Sequence, residues 1–173
     1  MALDELRLRG LIRDIPDFPQ AGVTFKDLTP LLADGDALDD VVTALADRTS
    51  CDIVAGIEAR GFVLAAPVAL RLGVGFVPIR KPGKLPWRTV RRDYDLEYGT
   101  DALEVHEDAV RPGQRVLVVD DVLATGGTAA ATCALLESLG ARIAGVSVLV
   151  ELAFLSGRAK LESHHLTSLL IYE

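Results

Sequence analysis

Aromatic residues make up only 5% of the 173-residue chain, which has one Trp and one Met. A core so poor in rings has to be built from Ala, Val, Leu and Ile. Cysteine is almost missing as well. Cys51 and Cys133 lie far apart and neither sits in a Cys-x-x-Cys or Cys/His pattern, so both are read as reduced, buried thiols of a cytosolic protein. A positive excess is lacking too: 18 Lys and Arg face 25 Asp and Glu, a net charge of −7. This argues against a nucleic-acid or anionic-membrane partner, which would need a basic face. No apolar run approaches the roughly 18 residues of a membrane span. The opening Met1-Ala2-Leu3-Asp4-Glu5 has neither the basic start nor the apolar stretch of a signal peptide, and a cytoplasmic location is expected. Neither a repeat nor a low-complexity stretch occurs. What is present is ordinary globular material, half hydrophobic and a quarter charged. A chain of this length corresponds to one domain burying about 70% of its unfolded surface.

Periodicity predicts the elements. Leu3, Leu6, Leu11 and Ile12 suggest a short helix over 3–13 that stops before the Pro16–Pro19 loop. Leu38, Val41, Val42 and Leu45 mark a second helix over 36–48, with Asp34 or Asp36 available as its cap. Four nearly continuous apolar runs follow: 53–55, 76–79, 116–119 and 143–150. Unbroken runs of this kind suit strands covered on both faces. Helical patterns follow the first and third runs, at 61–72 and 128–139, and end at Gly73 and Gly140. A strand pair is expected around Tyr94–Val105. Strand–helix–strand alternation means an α/β fold with a mostly parallel central sheet flanked by helices, in which ligands bind beyond the carboxyl ends of the strands.

The strongest chemical signal is the run Val116-Leu117-Val118-Val119-Asp120-Asp121-Val122-Leu123-Ala124-Thr125-Gly126-Gly127-Thr128. A buried strand is expected to end in two carboxylates and to pass through a Thr-Gly-Gly-Thr turn into a helix. Glycines let the backbone come close to a ligand, and the helix start supplies unpaired amides at the positive end of its dipole. The combination suits a phosphorylated sugar, with its phosphate monoester on Ala124, Thr125, Gly126, Gly127 and Thr128 and its ribose hydroxyls on Asp120 and Asp121.

Three further segments carry chemistry. In Ala55–Phe62, two glycines flank Glu58, Ala59 and Arg60; a tight loop holding a guanidinium fork suits a diphosphate. Between Arg80 and Arg92 lie six basic residues (Arg80, Lys81, Lys84, Arg88, Arg91, Arg92) and no acidic one. With Pro82, Gly83 and Pro86 in it, this stretch reads as a mobile loop closing over a polyanion and excluding water. In Val23-Thr24-Phe25-Lys26, Phe25 offers a face on which a nucleobase can stack, worth about 1–3 kcal/mol. His106, His164 and His165 have neither metal nor triad spacing.

The 116–128 run resembles the phosphoribosyl-diphosphate (PRPP) signature of the type I phosphoribosyltransferases. Phe18-Pro19 with 22–27, the 55–62 loop, Arg80-Lys81-Pro82-Gly83-Lys84-Leu85-Pro86 and Tyr94-Asp95-Leu96-Glu97-Tyr98-Gly99 extend the likeness over nearly the whole chain, in the order and spacing of the family's adenine branch. The resemblance implies a type I fold over 1–173, with a small hood from about 1–35 and a flexible catalytic loop over about 80–98. It implies conversion of adenine and PRPP to AMP and diphosphate. Mg²⁺ would be held mostly by PRPP oxygens and water, with no metal ligands from the protein, and the active form would be a homodimer. Glu58, Ala59, Arg60, Arg80, Lys81 and Lys84 would meet diphosphate, the basic residues from the same or a neighbouring subunit, and the Glu58–Ala59 bond would be cis. Backbone groups of Val23, Thr24, Phe25 and Lys26 would read the adenine edge, with Val122 as the opposite wall. Glu97 would manage the proton on the imidazole side of the base and, with Arg60 and Lys84, would count as catalytic. The family often has leucine at Val122 and arginine at Lys26. The alternative within the same chemistry is a 6-oxopurine such as xanthine or hypoxanthine.

Overall fold

The computed structural model describes residues 3–46, 50–95 and 100–173. Helix α1 (Glu5–Gly10) opens on Asp4, whose carboxylate accepts from the Arg7 amide at 3.0 Å. It is shorter than the expected 3–13 helix, and its inward residue is Leu8, whereas Leu6 is 83% exposed. The chain turns instead into a short ribbon, β1 (Arg13–Ile15) antiparallel to β2 (Phe25–Asp27). A short helix not expected from the sequence, α2 (Thr29–Ala33), precedes α3 (Gly35–Ala46), which is the helix expected over 36–48. Asp34 caps α3 by accepting from the Ala37 amide at 2.9 Å, while Val41, Val42 and Leu45 are buried as their spacing requires.

The centre is a five-stranded parallel sheet. Strand β3 (Ile53–Ile57) leads into α4 (Arg60–Leu72), which stops at Gly73 in the left-handed region (φ 70°), and returns as β4 (Gly75–Ile79). An antiparallel ribbon, β5 (Thr89–Asp95) with β6 (Thr100–His106), comes next. Strand β7 (Arg115–Leu123), helix α5 (Gly127–Ser138) and strand β8 (Arg142–Leu152) follow, then two 3-10 turns, Ala153–Leu155 and Gly157–Leu161, and strand β9 (Leu166–Tyr172). Residues 89–95, expected within a loop reaching to 98, form strand β5. And β7 does not end at the acidic pair but continues to Leu123, which pairs with Glu151 of β8.

The strand order is β4-β3-β7-β8-β9. Buried Val54, Leu117, Val119 and Leu149 face α3 and α4, while Ala55, Val116, Val118 and Val148 face α5 and the β6 side, so the sheet is covered on both faces. From β3 the chain steps outward to β4, then crosses back to β7 on the other side. The point where the winding direction reverses therefore lies between β3 and β7, and the loops beyond their carboxyl ends face one crevice. Among the described residues no helix is long and apolar enough to cross a membrane.

Candidate active site

Beyond β7, Ala124-Thr125-Gly126 turns sharply into α5. Gly126 stands at φ 76° as the residue before the helix, a conformation that a Cβ would strain. The turn is backed by Gly157 of the second 3-10 segment: a Cβ on Gly126 would lie 2.3 Å from the Gly157 carbonyl oxygen, and a Cβ on Gly157 would lie 2.1 Å from that of Ala124. Two backbones thus meet with no side chain between them. A small cleft of about 80 Å³ lies over the turn, lined by residues of 122–129 together with Asp120 and Val148. It brings together Ala124, Thr125, Gly126, Gly127 and Thr128 with Asp120 and Val122.

The acidic pair is asymmetric. Asp121 is 6% exposed, and its Oδ2 lies 2.7 Å from Arg60 Nε as an ion pair without hydrogen-bond alignment. Asp120 keeps some surface, but its carboxyl is packed deep among protein atoms. Burial first, and then the adjacent Asp121 carboxylate, push the Asp120 carboxyl well above the usual range.

The β3 loop carries the non-proline cis bond Glu58–Ala59. The Glu58 side chain is engaged within the protein. Its carboxylate, only 8% exposed, is occupied by Arg80 Nε at 2.9 Å and Lys84 Nζ at 3.4 Å. Burial works to raise its pKa, but the Lys81 amide and these two cations outweigh burial and hold it below the ordinary value. The side chain therefore gathers cations, and an anion in this loop would meet backbone and Arg60 rather than this carboxylate. Arg60 also stands over the Phe25 ring, 5.0 Å from its centroid, so one guanidinium touches both Asp121 and Phe25.

The segment expected to bind the base lies on β2 and just before it. Phe25 packs edge-on against Phe18 at 5.2 Å between centroids, below the cis Phe18–Pro19 bond. Val23 is 37% exposed and Thr24 is exposed. Lys26 turns away: its Nζ reaches Asp14 at 2.6 Å and lies 4.0 Å from the Tyr172 ring centroid, which leaves backbone as its only offer to a base. Glu97 lies outside the described residues.

Five of the six basic residues between Arg80 and Arg92 pair with acids. Besides the Glu58 contacts, Lys81 pairs with Asp101, Arg88 with Glu107 at 3.7 Å and Arg91 with Asp93 at 2.7 Å. Tyr94 sits at the centre of one such cluster. Its hydroxyl accepts from Lys81 Nζ at 3.1 Å and from Thr128 Oγ1 at 3.2 Å, and donates to Asp101 Oδ2 at 3.2 Å. Neither Tyr94 nor Gly157 stands out in the sequence as a site residue; the one available hint is the Ser156-Gly157 pair, since glycine often marks close backbone approach.

Comparison with known proteins agrees with this geometry. Residues 31–168 match the phosphoribosyl transferase domain family. An adenine phosphoribosyltransferase of Desulfitobacterium hafniense is 56% identical over 164 residues, covering 93% of this chain and 95% of the relative. Among solved structures, an adenine phosphoribosyltransferase of Thermoanaerobacter pseudethanolicus superimposes with a TM-score of 0.94 at 51% identity, covering 96% of this chain and 99% of that one. The enzyme of Saccharomyces cerevisiae, complexed with an imino-altritol bisphosphate and adenine, gives 0.90 at 36% identity, covering 96% and 98%. The chain has the type I phosphoribosyltransferase fold and belongs to the adenine phosphoribosyltransferase family.

Proposed function

We propose that the chain joins adenine to PRPP, giving AMP and diphosphate. The observation that carries this reading is the position of Arg60, which contacts Asp121 beside the phosphate turn and Phe25 of the base segment at once. One guanidinium thereby links a site suited to ribose phosphate with an aromatic face suited to a purine. Relatives above 50% identity that carry the adenine name favour adenine over a 6-oxopurine.

In this reading Ala124–Thr128 hold the 5′-phosphate, Asp120 and Asp121 the ribose hydroxyls, and Arg60 with Arg80, Lys81 and Lys84 the diphosphate. Backbone of Val23–Lys26 reads the base, Phe25 and Val122 enclose it, and Glu97 takes the proton on its imidazole side. Loss of diphosphate leaves positive charge on the ribose ring, as in glycoside cleavage. The protein's task is then to position the base against that carbon and to neutralise the leaving group. Arg60 must leave Asp121 or Phe25 to serve the diphosphate, so substrate entry trades an internal ion pair for a substrate contact. Glu58 aims Arg80 and Lys84 from below.

Mg²⁺ fits as a partner of the substrate. Among the described residues no three His, Cys, Asp or Glu side chains gather to hold an ion, and one carboxylate oxygen, Asp121 Oδ2, is buried without a hydrogen bond. The ion's ligands would be water and substrate oxygen, and Asp120 and Asp121 would act on it through the ribose hydroxyls they hold. When bound, Mg²⁺ neutralises the departing diphosphate. We read residues 1–173 as one domain, with about 1–35 as a hood and 80–88, the part of the expected 80–98 loop that precedes strand β5, over the site. Exposed Val63 (45%) and Leu70 (82%), seven residues apart and so on one face of α4, favour a homodimer covering this apolar strip. A substrate too charged to cross lipid unaided supports a cytoplasmic location.

The test is incubation with PRPP, Mg²⁺ and each of adenine, hypoxanthine and xanthine. AMP from adenine alone is expected, because exchanging amino for keto inverts a donor into an acceptor. Nucleotide from an oxopurine but not from adenine would overturn the choice of base.

A further inference from the structure

The Tyr94 hydroxyl has all its hydrogen-bonding capacity in use. A phenol has one proton and two lone pairs. The Asp101 carboxylate can only accept and the Lys81 ammonium can only donate, so the proton goes to Asp101 and the lone pairs receive Lys81 and Thr128. These partners come from different parts of the chain: Lys81 from the basic segment after β4, Asp101 from β6, and Thr128 from the first turn of α5. Tyr94 is half-buried against α5, and its ring lies 5.6 Å from the Lys81 nitrogen. One oxygen therefore ties the phosphate turn to the basic segment.

We propose that Tyr94 is a positioning residue that couples binding of the sugar's phosphate monoester to release of Lys81 for the diphosphate. The inference rests on the assignment of these two segments in the preceding section. Thr128 has a single hydroxyl proton. A phosphate dianion, which only accepts, takes that proton away from Tyr94. The ring then loses the anchor that fixes it to α5 and is held only by Lys81 and Asp101, which belong to the basic segment and the ribbon. Freed from α5, the Tyr94 hydroxyl can follow Lys81 as it turns from Asp101 to an incoming anion, so the exchange keeps one of its hydrogen bonds and costs less. Without such a link, two anions brought to one crevice repel, and each weakens the other's binding. The sign of the coupling therefore separates the two cases.

Isothermal titration of inorganic diphosphate in Mg²⁺ buffer, with and without saturating ribose 5-phosphate, reads this directly. Coupling between sites typically amounts to about 5–150-fold, and reciprocity requires the same factor in both directions. The wild-type chain is expected to bind diphosphate at least about fivefold more tightly when ribose 5-phosphate is present. In Tyr94→Phe the factor should fall to one or below. A merely structural tyrosine would shift both affinities together and leave their ratio unchanged. Asp101→Asn, which removes the carboxylate that holds Lys81, should also abolish the ratio and serves if Tyr94→Phe loses its near-UV circular dichroism. A wild-type factor of one or below, or a factor that survives in both folded variants, overturns the inference and leaves the site assignment standing. Failure of the wild-type chain to bind either ligand overturns the site assignment and the inference with it.

Discussion

Gly157 and Ala124 touch backbone to backbone: a methyl group on Gly157 would stand 2.1 Å from the Ala124 carbonyl oxygen and 2.8 Å from the Gly126 amide nitrogen. The 124–128 turn therefore takes its shape partly from a segment about thirty residues later in the chain. Gly157→Ala has to push the two backbones apart, and overpacking of this kind costs about 1–3 kcal/mol. The KM for PRPP is expected to rise roughly tenfold or more, since each 1.4 kcal/mol is a factor of ten. The KM for adenine should change much less. Steady-state kinetics with each substrate varied checks the split; equal increases would assign Gly157 to general stability.

Glu58 should matter through the cations it holds. Glu58→Gln keeps the shape but removes the charge that Arg80 and Lys84 share. Both cations are partly exposed, so screening limits the loss, and kcat is expected to fall about tenfold, the equivalent of about 1.4 kcal/mol. Added salt should narrow the gap between variant and wild type. An unchanged kcat would mean that the two cations find their places without Glu58.

Asp120 should trade stability for binding. Its folded pKa lies above that of the unfolded chain because of burial and the neighbouring Asp121. The folded state then binds more protons, so stability is fully present below the unfolded pKa and is lost as pH rises through the folded one. Asp120→Asn removes this term, and at pH 7 the melting temperature should rise by about 2–4 °C per kcal/mol recovered. PRPP binding should weaken in the same variant. A lower melting temperature at pH 7 together with unchanged PRPP affinity would contradict both halves.

Acid should act on the opposite side of the ledger through Asp27 and Asp52. Asp27 is lowered to about 2, chiefly by Thr29 hydroxyl and amide donation with help from Arg13, and Asp52 to about 2 by Arg115. Their stabilisation is present above the ordinary carboxyl value of 3.8 and is lost as pH falls from there through about 2. A melting curve followed from pH 6 to pH 2 should steepen below pH 4, and less so in Asp27→Asn with Asp52→Asn. Both groups lie at the surface, so salt should blunt the effect.

The elements legible in the sequence were those whose signal is local. Val116–Val119 and the Gly73 stop are contiguous, and α3 and α4 repeat at helical spacing. The 13–15 ribbon strand was not, since all three of its residues are exposed and it exists only by pairing with 25–27. Strand β9 ends in the apolar run Leu169-Leu170-Ile171-Tyr172, but only two 3-10 turns and no helical pattern lead into it, and pairing with β8 decides its register. The acidic pair looks terminal in the sequence because the unbroken apolar run ends at Val119, whereas parallel pairing with β8 carries β7 three residues further than Asp120. Within the candidate site, the 120–128 run was readable because an acidic pair followed by a glycine turn into a helix is a contiguous pattern. The Arg60–Asp121, Arg60–Phe25, Tyr94–Thr128 and Gly157–Ala124 contacts join positions more than thirty residues apart and leave no local pattern.

The account stands most directly on where the monoester sits, and a crystal structure with AMP bound measures that. The account predicts the phosphate within hydrogen-bond reach of the Ala124–Thr128 turn, the ribose at Asp120 and Asp121, and the purine beside Phe25. A phosphate bound elsewhere, with that turn empty at saturating AMP, would contradict it.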